Sequence, residues 1–281
     1  MPRASFKFLI CAARCVAVLA VALSASALAN SQNISASLPD APIPTAEARR
    51  ASAASIEDID ISWKKLPRRI LTDQKDVWLF PTQVARGHYW IPTLAVVGGT
   101  AGLIVADPKI APYFRKHAGN LDDLNDGFDG TITSAETALV PLSLLAAGYI
   151  RHDAYQVNTS LLAGEAFVDS EIVDVALKAI TQRKRPIGIP PSGPFNDTFF
   201  NNGKSRFTEG SFPSGHSIGA FSIATVIANR YRHHRWVPIA AYGFATAISL
   251  SRVTTSAHFP SDVFLGAVLG YAIAKFQVLQ H

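Results

Sequence analysis

AYQVNTSLLAGEAFVDSEIVDVALKAITQRKRP, residues Ala154 to Pro186, is the stretch on which the fold turns. It reads as one long helix from Ala154 to about Gln182. Pro186 closes it, because the residue before a proline is pushed out of the α region. On that helix Lys178 and Arg185 stand two turns apart and share a face. Further helices are expected on either side: a first one with Thr72 as N-cap ahead of Asp73–Phe80, then Trp90–Ala106, Ser134–Ile150, Pro213–Tyr231, Trp236–Leu250 and Pro260 to about Gln277. Nowhere does an alternating, β-branched run argue for a sheet. The expected fold class is all-α, a helical bundle of about six core helices over residues 61–281.

The chain has 281 residues, 48% hydrophobic and 17% charged, enough apolar matter for a large core. At the N-terminus, Arg3 and Lys7 precede an apolar run that ends in Ala27-Leu28-Ala29. This is the pattern of a secretory signal peptide, residues 1–29, and the small-residue site favours cleavage over a retained anchor. Cleavage would remove Arg3, Lys7 and Arg14 and no acidic residue, so the formal charge would fall from +5 to +2. So small a charge is no argument for a nucleic-acid partner. Cys11 and Cys15, the two cysteines, would leave with the signal, and with them any disulfide, thiol nucleophile or cysteine metal site. Residues 30–60, rich in Ser, Ala and Pro, read as a flexible linker. Asn120–Thr133 is acidic but lacks the alternating carboxylates of a calcium loop, and reads as a solvated turn.

The apolar helices raise the question of a membrane. The long helix carries Glu165, Asp169, Glu171 and Asp174 in its middle, and each would cost about 2.5 kcal/mol or more at a bilayer centre. A soluble, periplasmic bundle with helices buried on most sides is therefore expected, compatible with peripheral membrane contact.

Three blocks carry chemistry. The first is Lys178-Ala-Ile-Thr-Gln-Arg-Lys-Arg185-Pro186. Alone it would be a basic helix end that suits the dipole, with Asp174 four residues before Lys178. The second is Phe212-Pro213-Ser214-Gly215-His216, a helix start whose N–H groups can meet an anion and whose Gly215 allows close approach. The third runs from Ser251-Arg252 to His258-Phe-Pro-Ser-Asp262. Pro260 starts a helix there and puts the Asp262 carboxylate near the His258 imidazole, where it could take the Nδ1 proton. Alone, Asp262 would simply complement the helix dipole.

Together the blocks resemble the signature of the type 2 phosphatidic acid phosphatase superfamily (PAP2), which also holds the vanadium haloperoxidases: K-x6-R-P, P-S-G-H, S-R-x5-H-x3-D. All eleven specified positions agree, and the resemblance covers about Ala154 to Lys275. Gly164–Ser170 looks most like the exported, soluble acid phosphatase members. The resemblance implies a metal-independent phosphatase. His258 would attack phosphorus and form a phosphohistidine, Asp262 would orient it, and His216 would protonate the leaving alkoxide and then activate water. Lys178, Arg185, Ser214, Gly215 and Arg252 would bind the phosphate. It implies no resident cofactor, with vanadate as an inhibitor. In the competing reading, a haloperoxidase, vanadate would be the cofactor; a third is a non-catalytic phosphate-binding protein. The partner would be a phosphate monoester or a lipid phosphate, in the periplasm or cell envelope.

The other histidines, His88, His117, His152, His233, His234 and His281, show no metal-ligand spacing. The loop Ile187–Ser211 joins two site blocks and reads equally as a lid or a plain surface loop.

Overall fold

A computed structural model of the protein describes residues 59, 61–117, 130–201 and 209–280. The expected signal peptide, most of the linker, most of the acidic turn and part of the Ile187–Ser211 loop lie outside them. The described residues form helices α1 (Leu66–Ala85), α2 (Trp90–His117), α3 (Gly130–Arg151), α4 (Ala154–Thr181), α5 (Gly215–Arg230), α6 (Trp236–Thr254) and α7 (Pro260–Phe276). Two short 3₁₀ turns, Pro186–Gly188 and Val278–Gln280, complete them, and no strand occurs among these residues. The all-α expectation holds.

Local chemistry explains most boundaries. The Asp153 side chain caps α4 by accepting from the Gln156 N–H at 3.1 Å. The helix ends where Gln182 turns left-handed at φ 40, and Arg185 is extended ahead of Pro186. Ser214 and Phe259 stand extended before α5 and α7. Thr72 is not a cap. The helix begins at Leu66 with Pro67 in its first turn, and the Thr72 hydroxyl donates to the Arg68 carbonyl one turn back. Helix α2 continues past Ala106 through Pro108 and Pro112 to His117.

Helices α4, α5 and α7 form the centre. Leu161, Leu162, Ala166, Ile223, Val226 and Ala274 make its apolar core. There α5 and α7 approach backbone to backbone. A Cβ on Gly270 would stand 2.1 Å from the Ile218 carbonyl oxygen, and one on Gly266 would stand 2.7 Å from that of Ser214. Glycine at these two positions sets the depth at which Ser214 meets α7.

Three of the four acidic residues in the middle of α4 lie inside the protein, and the fourth, Glu171, is half-buried. Glu165 pairs with Arg69 at 2.8 Å, Asp169 accepts from Gln74 at 2.9 Å, and Asp174 pairs with Lys178 at 2.6 Å. Glu165, Asp169 and Asp174 are buried, so they would not face lipid and do not argue against a bilayer. The apolar surface points the other way. Trp90–His117 and Pro260–Gln280 are long and apolar enough to cross a membrane. In the most apolar stretch of Trp90–His117 only 11% is buried within the protein. Ile91, Leu94, Val97 and Val105 are exposed along it. Helix α2 is therefore not buried on most sides, unlike the central helices, and departs from the expected bundle.

Candidate active site

The three sequence blocks meet where α4 ends and α5 and α7 begin. His258 follows α6 in a short turn whose N–H groups return to one carbonyl: Ala257 and His258 both donate to the Arg252 oxygen, at 3.0 and 3.1 Å. Its imidazole is 2% exposed. Nδ1 lies 2.7 Å from the Ser211 carbonyl oxygen and 3.7 Å from Asp262 Oδ2. The partner of Nδ1 is therefore the main chain of Ser211, not the carboxylate expected from the spacing. With Nδ1–H given to that oxygen, Nε2 carries the lone pair. Burial pushes the His258 pKa down to about 4; Arg185 and Lys178 push the same way and Asp262 opposes them. The imidazole is neutral at physiological pH, and the two cations are near enough to act on it.

Asp262 is fully buried and fully engaged. Oδ1 accepts from Arg183 at 2.5 Å, and Oδ2 accepts from the Ser211 hydroxyl at 2.5 Å and the Phe259 N–H at 2.8 Å. Its main-chain oxygen takes the Ser214 N–H at 3.0 Å. An anion at the start of α5 would thus meet the N–H of Gly215 rather than that of Ser214. Gly215 lies against the Lys178–Asp174 pair: a Cβ there would stand 3.1 Å from Lys178 Nζ and 2.9 Å from Asp174 Oδ2. Ser214 is buried, and its hydroxyl accepts from Ser217 at 3.1 Å.

Arg252 is 2% exposed, with Nε and one terminal nitrogen on the Ser251 hydroxyl at 3.1 and 3.0 Å. Arg185 bonds the Glu209 carbonyl at 3.1 Å, and burial lowers its pKa. His216 is half-buried in the first turn of α5. Lys178 and Arg185, the start of α5 and a neutral imidazole thus come together, parts that phosphoryl transfer uses, while the side chain of Arg252 is bonded to Ser251 beside it.

Sequence reasoning missed two groups. Arg183, among the unspecified positions of the first block, is 1% exposed and links Asp262 to Asp107 of α2. Away from this site, Asp73, Glu165 and Asp169 bring carboxylate oxygens within 4.8 Å of one another, with Arg69 and Gln74 bonded to two of them. The i, i+4 spacing of Glu165 and Asp169 was the available signal.

The profile of the PAP2 superfamily matches residues 153–281. A lipid A 1-phosphatase of Rhizobium johnstonii is 32% identical over 171 residues, 57% of this chain and 65% of that protein. The bacitracin transport permease protein BcrC of Bacillus licheniformis is 30% identical over 111 residues, 40% of this chain and 50% of that one. The crystal structure of a transmembrane PAP2 type phosphatidylglycerolphosphate phosphatase from Bacillus subtilis is 22% identical, with a TM-score of 0.39, covering 73% of this chain and 94% of that one. The chain spans less than two thirds of the length of each curated relative it matches. Residues 153–281, in which all three sequence blocks fall, are a PAP2 superfamily region.

Proposed function

We propose that the protein is a metal-independent phosphatase of the cell envelope that hydrolyses a lipid phosphate through a phosphohistidine on His258. The observation that carries this reading is the buried, neutral His258, whose Nδ1–H is held by the Ser211 carbonyl. That leaves Nε2 as a nucleophile. In the first step Nε2 bonds phosphorus, the bond to the leaving oxygen breaks, and His216 gives that oxygen a proton. In the second, His216 takes a proton from water, the water oxygen bonds phosphorus, and the P–N bond breaks. Lys178, Arg185 and Arg252, with the Gly215 N–H and the Ser214 hydroxyl, offset charge on the phosphoryl oxygens.

A lipid substrate is supported by the outer surface. Exposed Tyr89 and Trp90 mark one end of α2, and Asp107 reaches the active site seventeen residues after Trp90, about 25 Å along the helix. That is close to the thickness of a bilayer core. With the aromatics at one boundary, the site would open at the other, level with lipid headgroups. The names of the lipid A 1-phosphatase relatives point the same way.

Protein purified in detergent should release phosphate from a long-chain lipid phosphate in EDTA, faster than from a short water-soluble monoester. Vanadate should compete with the substrate, because a trigonal-bipyramidal oxyanion matches the transition state better than the ground state does. Loss of activity in EDTA, restored by a divalent metal, would overturn the metal-independent reading. A preference for the soluble ester would overturn the lipid one.

The lowered pKa of His258 also fixes a pH dependence. A depressed pKa keeps the imidazole unprotonated over a wider acidic range, so the nucleophile should stay competent at pH 5.5 and be lost as pH falls through about 4. A profile of kcat/KM against pH should show its acid limb there. A limb near 6.5, the ordinary histidine value, would mean that His258 is not held neutral.

A further inference from the structure

The family signature ends at Asp262, but in this structure Asp262 is not where the support of His258 ends. Both of its oxygens are held, and the chain of bonds continues to a helix outside the matched region. Arg183 gives one terminal nitrogen to Asp262 Oδ1 at 2.5 Å and to the Ser261 hydroxyl at 2.7 Å. Its other terminal nitrogen goes to Asp107 Oδ2 at 2.7 Å, and its Nε to the Thr198 hydroxyl at 3.0 Å. Asp107 Oδ2 also accepts from the Ser261 hydroxyl at 2.5 Å. The guanidinium is packed over the Phe259 ring at 4.0 Å and the Phe199 ring at 4.5 Å. Asp107, Arg183 and Asp262 are all essentially inaccessible to water.

We infer that Arg183 and Asp107 are positioning residues for the nucleophile, acting through Asp262 and Ser211. The inference rests on the reading of His258 as that nucleophile. Two paths run from Arg183 to the imidazole. Its side chain fixes Asp262, whose other oxygen takes the Ser211 hydroxyl; its carbonyl takes the Ser211 N–H at 2.8 Å. Ser211 is thus gripped at both ends, and its carbonyl is the acceptor of His258 Nδ1–H. That bond decides which imidazole nitrogen carries the lone pair and which way the ring faces. Asp107 is the outer anchor. It takes a second edge of the fork that Lys could not present, and it ties α2 to the first turn of α7. Without Arg183 two carboxylates would face each other in a dry interior, and one would have to take up a proton or move.

A residue that only stabilised the fold would change the amount of folded enzyme and not the rate constants of what remains folded. A residue that positions His258 should lower the rate of phosphoenzyme formation while leaving phosphate affinity intact. Asp107→Asn, nearly isosteric, should therefore lower kcat about 10- to 100-fold, with KM and vanadate inhibition within a factor of about three of the unsubstituted enzyme. Arg183→Lys should not rescue Arg183→Gln, since the ammonium cannot bond both carboxylates in the plane of the fork. The decisive comparison is a double-mutant cycle in Asp262→Asn. If Arg183 acts through Asp262, adding Arg183→Gln to Asp262→Asn costs little more than Asp262→Asn alone. Fully multiplicative losses would overturn the inference. So would an unchanged kcat in Asp107→Asn, which keeps the test alive if the Arg183 variants fail to fold. His258→Ala, run beside them, separates the two claims. An active His258→Ala enzyme removes the nucleophile assignment itself, whereas an inactive one with unimpaired Asp107→Asn removes only the positioning role.

Discussion

His258→Ala is expected to end phosphate release from every ester, alkyl or aryl, lipid or soluble. The loss should be about 10³-fold or more, as for other variants that delete a covalent nucleophile. The reason is that the covalent intermediate of the proposed mechanism cannot form without it. Ser214, whose hydroxyl accepts from Ser217, and the cations Lys178, Arg185 and Arg252 are proposed as phosphate ligands, not as nucleophiles. The substitution should leave the phosphate pocket assembled, because the Ser211 and Asp262 contacts run through groups that alanine does not remove. Vanadate or phosphate should still protect the variant against thermal unfolding, which distinguishes a missing nucleophile from a collapsed site. In rapid-quench experiments with labelled substrate, the unsubstituted enzyme should carry acid-labile, base-stable phosphate and the variant none. Covalent phosphate on His258→Ala would place the nucleophile elsewhere.

The contrast between what the sequence displayed and what it concealed follows from the range of the interactions. Lys178, Arg185, Gly215, His216 and His258 were legible through the resemblance of three blocks to one family signature; read alone, each block had an ordinary structural explanation. Seven helices were legible from apolar periodicity, with Pro186 and Pro260 stopping and starting segments through steric rules that act over one or two residues. Thr72 shows the limit of that reading, since an acceptable cap loses to a proline five residues earlier. Asp107 was invisible, because its partner Arg183 lies 76 positions away and nothing local distinguishes it from a surface aspartate. The Ser211 carbonyl was invisible for a different reason: any residue has one, and only the fold aims it at Nδ1.

The carboxylates of α4 taught the most. Counted along the chain, they argue against lipid. In three dimensions Glu165, Asp169 and Asp174 find Arg69, Gln74 and Lys178 and leave the outer face to Val168, Ile172 and Val175. A bilayer penalises charge that faces it, not charge that lies buried against the protein's own partners. The cost of a charge in a helix is therefore a property of its partner, and the partner of Glu165 comes from α1, 96 residues away.

The other large effect separates the two histidines of the signature. His216→Ala should be far more damaging to an alkyl phosphate than to an aryl one, but only in the first chemical step. A lipid alcohol leaves as a strongly basic alkoxide and needs a proton as the bond breaks. A p-nitrophenyl group leaves as a stabilised phenolate and barely needs it. General acid catalysis contributes about 10²- to 10⁴-fold, and His216→Ala should lose most of that on the alkyl ester while the aryl ester forms phosphoenzyme at nearly the normal rate. Steady-state turnover would blur the difference, because His216 should also draw the proton from water when the phosphohistidine is hydrolysed. The variant should accordingly accumulate phosphoenzyme from the aryl ester in a burst and then stall. Both steps fall to His216 in the proposed mechanism. It sits half-buried in the first turn of α5, next to Gly215, which packs on the Lys178–Asp174 pair, and across the α5–α7 contact from the turn that carries His258. Equal loss of the phosphorylation step on both esters would show that His216 binds phosphate rather than delivering a proton, and the acid would then have to be sought among other groups of the site.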